Sequence, residues 1–233
     1  MTEEARCKLS RDVGGGASGV RSRQRVIDHG EVLTPPELVN QMLDLVAWEC
    51  KRIDSRFLEP ACGDGNFLAE VFRRKLETVM ESRGRDQARW EFDAVVSVCS
   101  LYGIDLLPDN VAACRERLLM VVDEAYLSQF KQPLPEPVRR VVEFVLTTNI
   151  VHGDALSLKA ADGLPIIFAD WSAMTGMMLK RRDYSFGELL GHGAIMSTPL
   201  FSDLGRDVFV PKPVSDYPAC HYLGVPDARA KSR

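Results

Sequence analysis

The sequence predicts an open, mostly parallel α/β sheet, doubly wound by helices, and three observations predict it. Short extended runs alternate with helix-period segments across residues 26–172. The first run passes through the tight turn Gly63-Asp64-Gly65 directly into a helix. Successive runs bring the acids Glu59, Asp105 and Asp154 to their carboxyl ends, which is the edge where ligands bind in sheets of this kind.

Taken in order, residues 1–25 have no apolar periodicity, centre on Gly14-Gly15-Gly16-Ala17-Ser18-Gly19, and read as a flexible arm. From Glu37 to Lys51, Leu38, Val39, Met42, Leu43, Leu45, Val46 and Trp48 recur at helical spacing behind the start signal Pro35-Pro36. Arg56 to Pro60 is a short extended run, and after the glycine turn Phe67, Leu68, Val71, Phe72, Leu76 and Val79 mark a second helix. A polar stretch from Glu81 to Arg89 precedes an apolar segment, Phe92 to Cys99, and then a strand, Leu101 to Asp105. Asp109 and Asn110 cap a helix reaching about Ser128. After Pro133, Pro135 and Pro137, a helix over Val138–Leu146 leads into a third strand, Asn149–Asp154, and Pro165–Asp170 is a fourth. Beyond Met174 the periodicity fades and five prolines argue against long regular elements, so residues 173–233 read as an irregular extension of the 26–172 domain.

Composition excludes several classes. With 233 residues, 45% hydrophobic and 27% charged, the chain is an ordinary globular one that buries a full core, and no stretch approaches the ~18 consecutive apolar residues of a spanning helix. No apolar run marks the N-terminus as a secretory signal, and six scattered cysteines without a Cys-x-x-Cys pair suggest reduced thiols in the cytoplasm rather than a zinc or redox site. The four histidines lack metal-ligand spacing. The net charge of -4 is uneven: residues 1–25 carry six bases against three acids and residues 174–233 eight against six, which leaves -9 in between. Basic ends around an acidic body permit contact with phosphate, but they are not the footprint of a dedicated nucleic-acid binder. The run Lys180-Arg181-Arg182 reads first as a solvated face and second as a phosphate contact.

The chemistry concentrates at the sheet edge. Glycines let the backbone bend and a ligand approach it, while the following helix start offers N–H donors. A dinucleotide fingerprint is excluded, because it requires glycine where Leu68 stands. Asp105 is placed to accept both ribose hydroxyls of a nucleoside, and Asp154 to accept from an adenine amino group. Taken singly, each is a common strand-ending turn residue. In order and together they favour a nucleoside pocket.

Glu59-Pro60-Ala61-Cys62-Gly63-Asp64-Gly65-Asn66-Phe67 closely resembles the S-adenosylmethionine-binding motif of N6-adenine DNA methyltransferases, particularly the modification subunits of restriction–modification systems. Gly30 to Pro36 is similar to the motif that precedes it in that family, Tyr102 to Asn110 to the second cofactor motif, and Val151 to Leu156 to the third. The resemblance covers residues 26–170 and implies a Rossmann-like sheet of the class I methyltransferase type, with S-adenosyl-L-methionine as cofactor. It further implies that Thr34 contacts the methionine carboxylate and that Glu59, Pro60, Ala61, Gly63 and Gly65 hold the amino-acid moiety. Asp105 binds the ribose, and Asp154 and Ala155 bracket the adenine. An acidic body suits a cationic sulfonium ligand.

The transfer site departs from the family pattern. Methylating adenine N6 requires acceptors on both amino N–H bonds and an aromatic ring stacked on the flipped base, which the family supplies as (Asp/Asn/Ser)-Pro-Pro-aromatic after the fourth strand. Here Ala169-Asp170-Trp171-Ser172 stands at that place, and Ser197-Thr198-Pro199-Leu200-Phe201 is a second imperfect echo. Asp170 and Trp171 are therefore the candidate catalytic pair, weighed against a purely structural role at a strand end. The resulting expectation is an adenine-specific DNA methyltransferase whose target recognition comes from a specificity or restriction subunit. The alternatives are a cofactor-binding accessory module without transfer activity, and methyl transfer to another substrate.

Overall fold

The computed structural model describes residues 34–190 and 211–230; the expected arm and the echo at 197–201 lie outside the described residues. Helix α1 (Pro36–Asp44) opens behind Pro35 and buries Val39 and Leu43. The single helix expected over residues 37–51 is broken, because Leu45 and Val46 tighten into i→i−3 bonds before α2 (Ala47–Lys51). Strand β1 (Phe57–Glu59) leads through the glycine turn to α3 (Asn66–Arg83). The polar stretch ends at Asp86, whose carboxylate accepts from Arg89 N and caps α4 (Gln87–Cys99). There follow β2 (Leu101–Asp105), α5 (Pro108–Phe130), α6 (Glu136–Asn149) and β3 (Ile150–Asp154).

Strands β1, β2 and β3 pair in parallel, Glu59 facing Gly103 and Asp105 facing His152, and the short β4 (Lys159–Ala160) adds antiparallel to β3. The parallel sheet requires crossovers, and the helices supply them. Leu101 and Ile150 join the large core formed with α1, α3, α4, α5 and α6, whereas Tyr102 and Ile104 join a smaller cluster with Ile166, Phe168 and Phe186. Alternation along β2 thus feeds both clusters.

The fourth strand differs from expectation. Residues Ile167–Met174 form β5, but β5 pairs antiparallel with β6 (Met178–Ser185), and β7 (Ser215–Asp216) and β8 (Cys220–His221) extend that second sheet. The cause is local: Gly176 and Met177 take positive φ and reverse the chain within three residues, leaving no crossover helix. The expected domain boundary after residue 172 consequently falls inside β5, and the segment beyond it contains an eight-residue strand. The described residues all fall within one compact unit beginning at Thr34. Basic residues of the 180–182 run are occupied internally: Lys180 pairs with Asp216, and Arg181 donates to Asp183 at 2.7 and 3.0 Å while its guanidinium lies over the Tyr217 ring.

Buried polar groups stitch the layers. Glu91 accepts from Gln87 Nε2 (2.9 Å), from the Tyr126 hydroxyl (2.8 Å) and from the Tyr222 hydroxyl (3.3 Å) of a closing 3-10 helix, Tyr222–Asp227. Lys75, fully buried on α3, donates to the carbonyls of Arg52, Ile53 and Ser55 and to Ser100 Oγ, so the loop before β1 is tied to the end of α4. Among the described residues, no helix is long and apolar enough to cross a membrane.

Candidate functional site

The carboxyl ends of β1, β2 and β3 lie side by side and present Glu59, Asp105 and Asp154 at one sheet edge. Adjacent strands are about 4.8 Å apart, so three carboxylates occupy a strip on the order of 10 Å wide.

Backbone hydrogen bonds set the glycine turn. Cys62 N donates to Ile104 O at 2.9 Å, Gly65 N to Cys62 O at 2.9 Å, and Gly63 N to Asp105 Oδ2 at 2.8 Å. Gly65 closes the turn at φ 85°, and a Cβ there would stand 2.7 Å from Cys114 Sγ on α5. Glycine is thus required both for the conformation and for the close helix contact. Gly65→Ala is expected to cost about 2 kcal/mol of stability, read as a lower urea midpoint; an unchanged midpoint would contradict this account of the turn.

Asp105 organises the centre of the edge. Its Oδ1 accepts from Leu107 N at 2.9 Å and from Asn110 Nδ2 at 3.2 Å, and its Oδ2 from Gly63 N. Three of the roughly four acceptor positions of a carboxylate are engaged. The carboxylate thus ties the glycine turn to the start of α5. Asp154 Oδ1 accepts from Leu156 N at 2.9 Å, and that bond together with one from the Ser157 hydroxyl, the larger effect, holds its carboxyl below the ordinary range. Glu59 is half-buried; burial raises its carboxyl, and Ala61 N, 3.4 Å from Oε1, opposes the rise. Pro60 and Ala61 are exposed, and Ala155 packs beside the smaller cluster.

Thr34, the one described residue of its motif ahead of the prolines, reaches the turn through its carbonyl, which accepts from Asn66 Nδ2 at 3.0 Å. Arg117 on α5 holds the same place from the other side, donating to Asp64 Oδ2 at 2.7 Å and to Asn66 Oδ1 at 3.4 Å. Sequence reasoning missed Arg117, Asn66 and Asn110. Asn66 and Asn110 stand within motifs already singled out, but Arg117 lies on a helix face with no local signal.

Asp170 and Trp171 are placed apart from this edge and from each other. Neighbouring residues of a strand point to opposite faces. Trp171 turns into the large core, donates its indole N–H to the buried Asn149 Oδ1 at 3.2 Å, and meets Phe144 edge-on. Asp170 pairs with Arg56 and borders a cavity of about 410 Å³ lined by Leu58, Tyr102, Phe168, Tyr184 and Phe186. Neither Glu59, Asp105 nor Asp154 lines that cavity. Among the described residues no group of His, Cys, Asp and Glu is arranged to hold a metal ion, and Cys50, Cys62, Cys99, Cys114 and Cys220 are free thiols.

Comparison of the chain with protein-family models, with curated proteins and with solved structures finds no match.

Proposed function

We propose that this chain is an S-adenosyl-L-methionine-binding, methyltransferase-like protein acting in N6-adenine DNA modification within a restriction–modification context, with target recognition supplied by a partner subunit. The class I methyltransferase assignment of the sheet is part of the same proposal. One observation carries it: the turn from Glu59 to Gly65 folds back so that Gly63 N donates to Asp105, joining two of the motif segments into one edge with Asp154 beside them. A ligand there meets the start of α3, the Asp105 carboxylate and the acidic surroundings that favour a sulfonium cation.

The test is calorimetric titration with S-adenosylmethionine, paired with transfer of labelled methyl groups to adenine-containing DNA. Saturable binding supports the reading, and none at millimolar cofactor removes it. Arg117→Ala is expected to weaken cofactor binding about tenfold, ~1.4 kcal/mol, with little change in melting temperature, because Arg117 is a half-exposed clamp on the turn rather than a core residue. An unchanged affinity would dissociate Arg117 from the site.

A second reading, a cofactor-binding accessory module without transfer activity, is favoured by one specific observation. Asp170 and Trp171 project to opposite faces, the acid paired with Arg56 and the indole N–H engaged by Asn149, so they do not converge on one base. Cofactor binding without methylated DNA selects this second reading; methylation lost in Asp170→Ala selects the first.

A further inference from the structure

Helices α1 and α2 carry two apolar faces. One buries Val39, Leu43 and Cys50 against the core. The other leaves Leu38 and Met42 each 46% exposed, Leu45 87%, Val46 42% and Trp48 75%. Leu38, Met42 and Leu45 follow i, i+4, i+7 spacing, and Val46 and Trp48 continue the strip through the turn into α2. A helix apolar on both faces is one that packs on both.

We propose that this strip is the self-complementary interface of a homodimer. Two observations select a second copy of the chain as the occupant. The five side chains leave on the order of 500 Å² of apolar surface open. That lies near the upper end of the ~300–600 Å² typical of the largest patch on a monomer, and with its polar rim it approaches the ~800 Å² per partner of a stable interface. The strip is also charged oppositely at its two ends, with exposed Glu37 in the first turn of α1 and exposed Lys51 in the last turn of α2. A two-fold axis through the middle of the strip runs the helices antiparallel and brings Glu37 of one protomer to Lys51 of its partner, twice. Leu45 then lies nearest the axis and Trp48 packs on the partner's half of the strip, where a tryptophan is the kind of anchor that dominates interface energetics.

The test is the mass of the full chain by sedimentation or by chromatography with light scattering, without cofactor, so that its outcome is independent of the functional reading above. The expected mass is twice the 26.0 kDa of one chain. Leu45→Glu and Trp48→Glu, each with an unchanged circular dichroism spectrum, are expected to raise the dissociation constant at least tenfold. Glu37→Lys alone is expected to weaken association, and adding Lys51→Glu in the same chain to restore it. A monomer up to near-millimolar concentration overturns the proposal, as does a dimer insensitive to all four substitutions. Association only after another subunit is added assigns the strip to a different partner and overturns it too.

Discussion

Replacing Lys75 with methionine is expected to destabilise the fold by about 3 kcal/mol or more, read as a lower urea midpoint. Lys75 is fully buried, and its Nζ faces Arg52 O at 3.1 Å, Ile53 O at 3.3 Å, Ser55 O and, at 2.8 Å, Ser100 Oγ, with the Phe57 ring 5.2 Å away. Methionine fills the volume but leaves three partly buried carbonyl oxygens and the buried Ser100 Oγ without their donor. The same substitution changes the pH dependence. Burial pulls the Lys75 ammonium from its ordinary 10.5 down to about 7. Between these values the unfolded chain binds more protons than the folded one, so the Lys75 contribution to stability grows as pH rises above about 7 and is lost as pH falls back towards it. Below about 9, where buried thiols such as Cys99, raised by burial, do not yet oppose the trend, the wild type should gain stability relative to Lys75→Met. Parallel curves for the two proteins over that window would contradict the assignment.

The second large effect is expected at Asp105. Asp105→Ala removes the acceptor for Gly63 N, Leu107 N and Asn110 Nδ2 at one stroke, and with it the link between the glycine turn and the start of α5. Loss of cofactor affinity by a factor of about 100 or more is expected, since a lost charge-assisted contact and a relaxed turn together exceed ~2.7 kcal/mol. Asp105→Asn is expected to be nearly as damaging. One of its amide termini presents N–H where the carboxylate accepts N–H on both oxygens. Cofactor binding that survives both substitutions would place the ligand elsewhere.

Much of the carboxyl edge of β1, β2 and β3 is legible in the sequence because its signals are local. An acid three residues before a helix start, as Asp105 precedes α5, and glycines between a strand and a helix carry their meaning in a few neighbouring residues. The helix expected behind Asp109 and Asn110 forms as α5, but it starts at Pro108 with Leu107 as its N-cap, so Asp109 and Asn110 lie inside its first turn and Asn110 donates to Asp105 instead of capping. The misses involve partners distant in sequence. Nothing local to Lys75 announces the loop at 52–55 and Ser100 that close around it, and nothing local to Glu91 announces Tyr126 and Tyr222, which arrive from 35 and 131 residues away. The fourth strand was found as a strand but not as a member of its own sheet, because its pairing was decided by the turn at 175–177 rather than by its apolar run. Asp170 and Trp171 were adjacent in sequence, and adjacency in a strand is what separates them in space.

The central claim, that the ligand site is the carboxyl edge of β1, β2 and β3, is tested most directly by amide NMR of the full chain titrated with S-adenosylmethionine. The predicted result is saturable shifts at Gly63, Gly65, Leu107 and Leu156, the backbone positions on or beside Glu59, Asp105 and Asp154, with Phe168 and Tyr184 unmoved. Shifts confined to the residues lining the cavity beside Asp170, or none at millimolar cofactor, would contradict it.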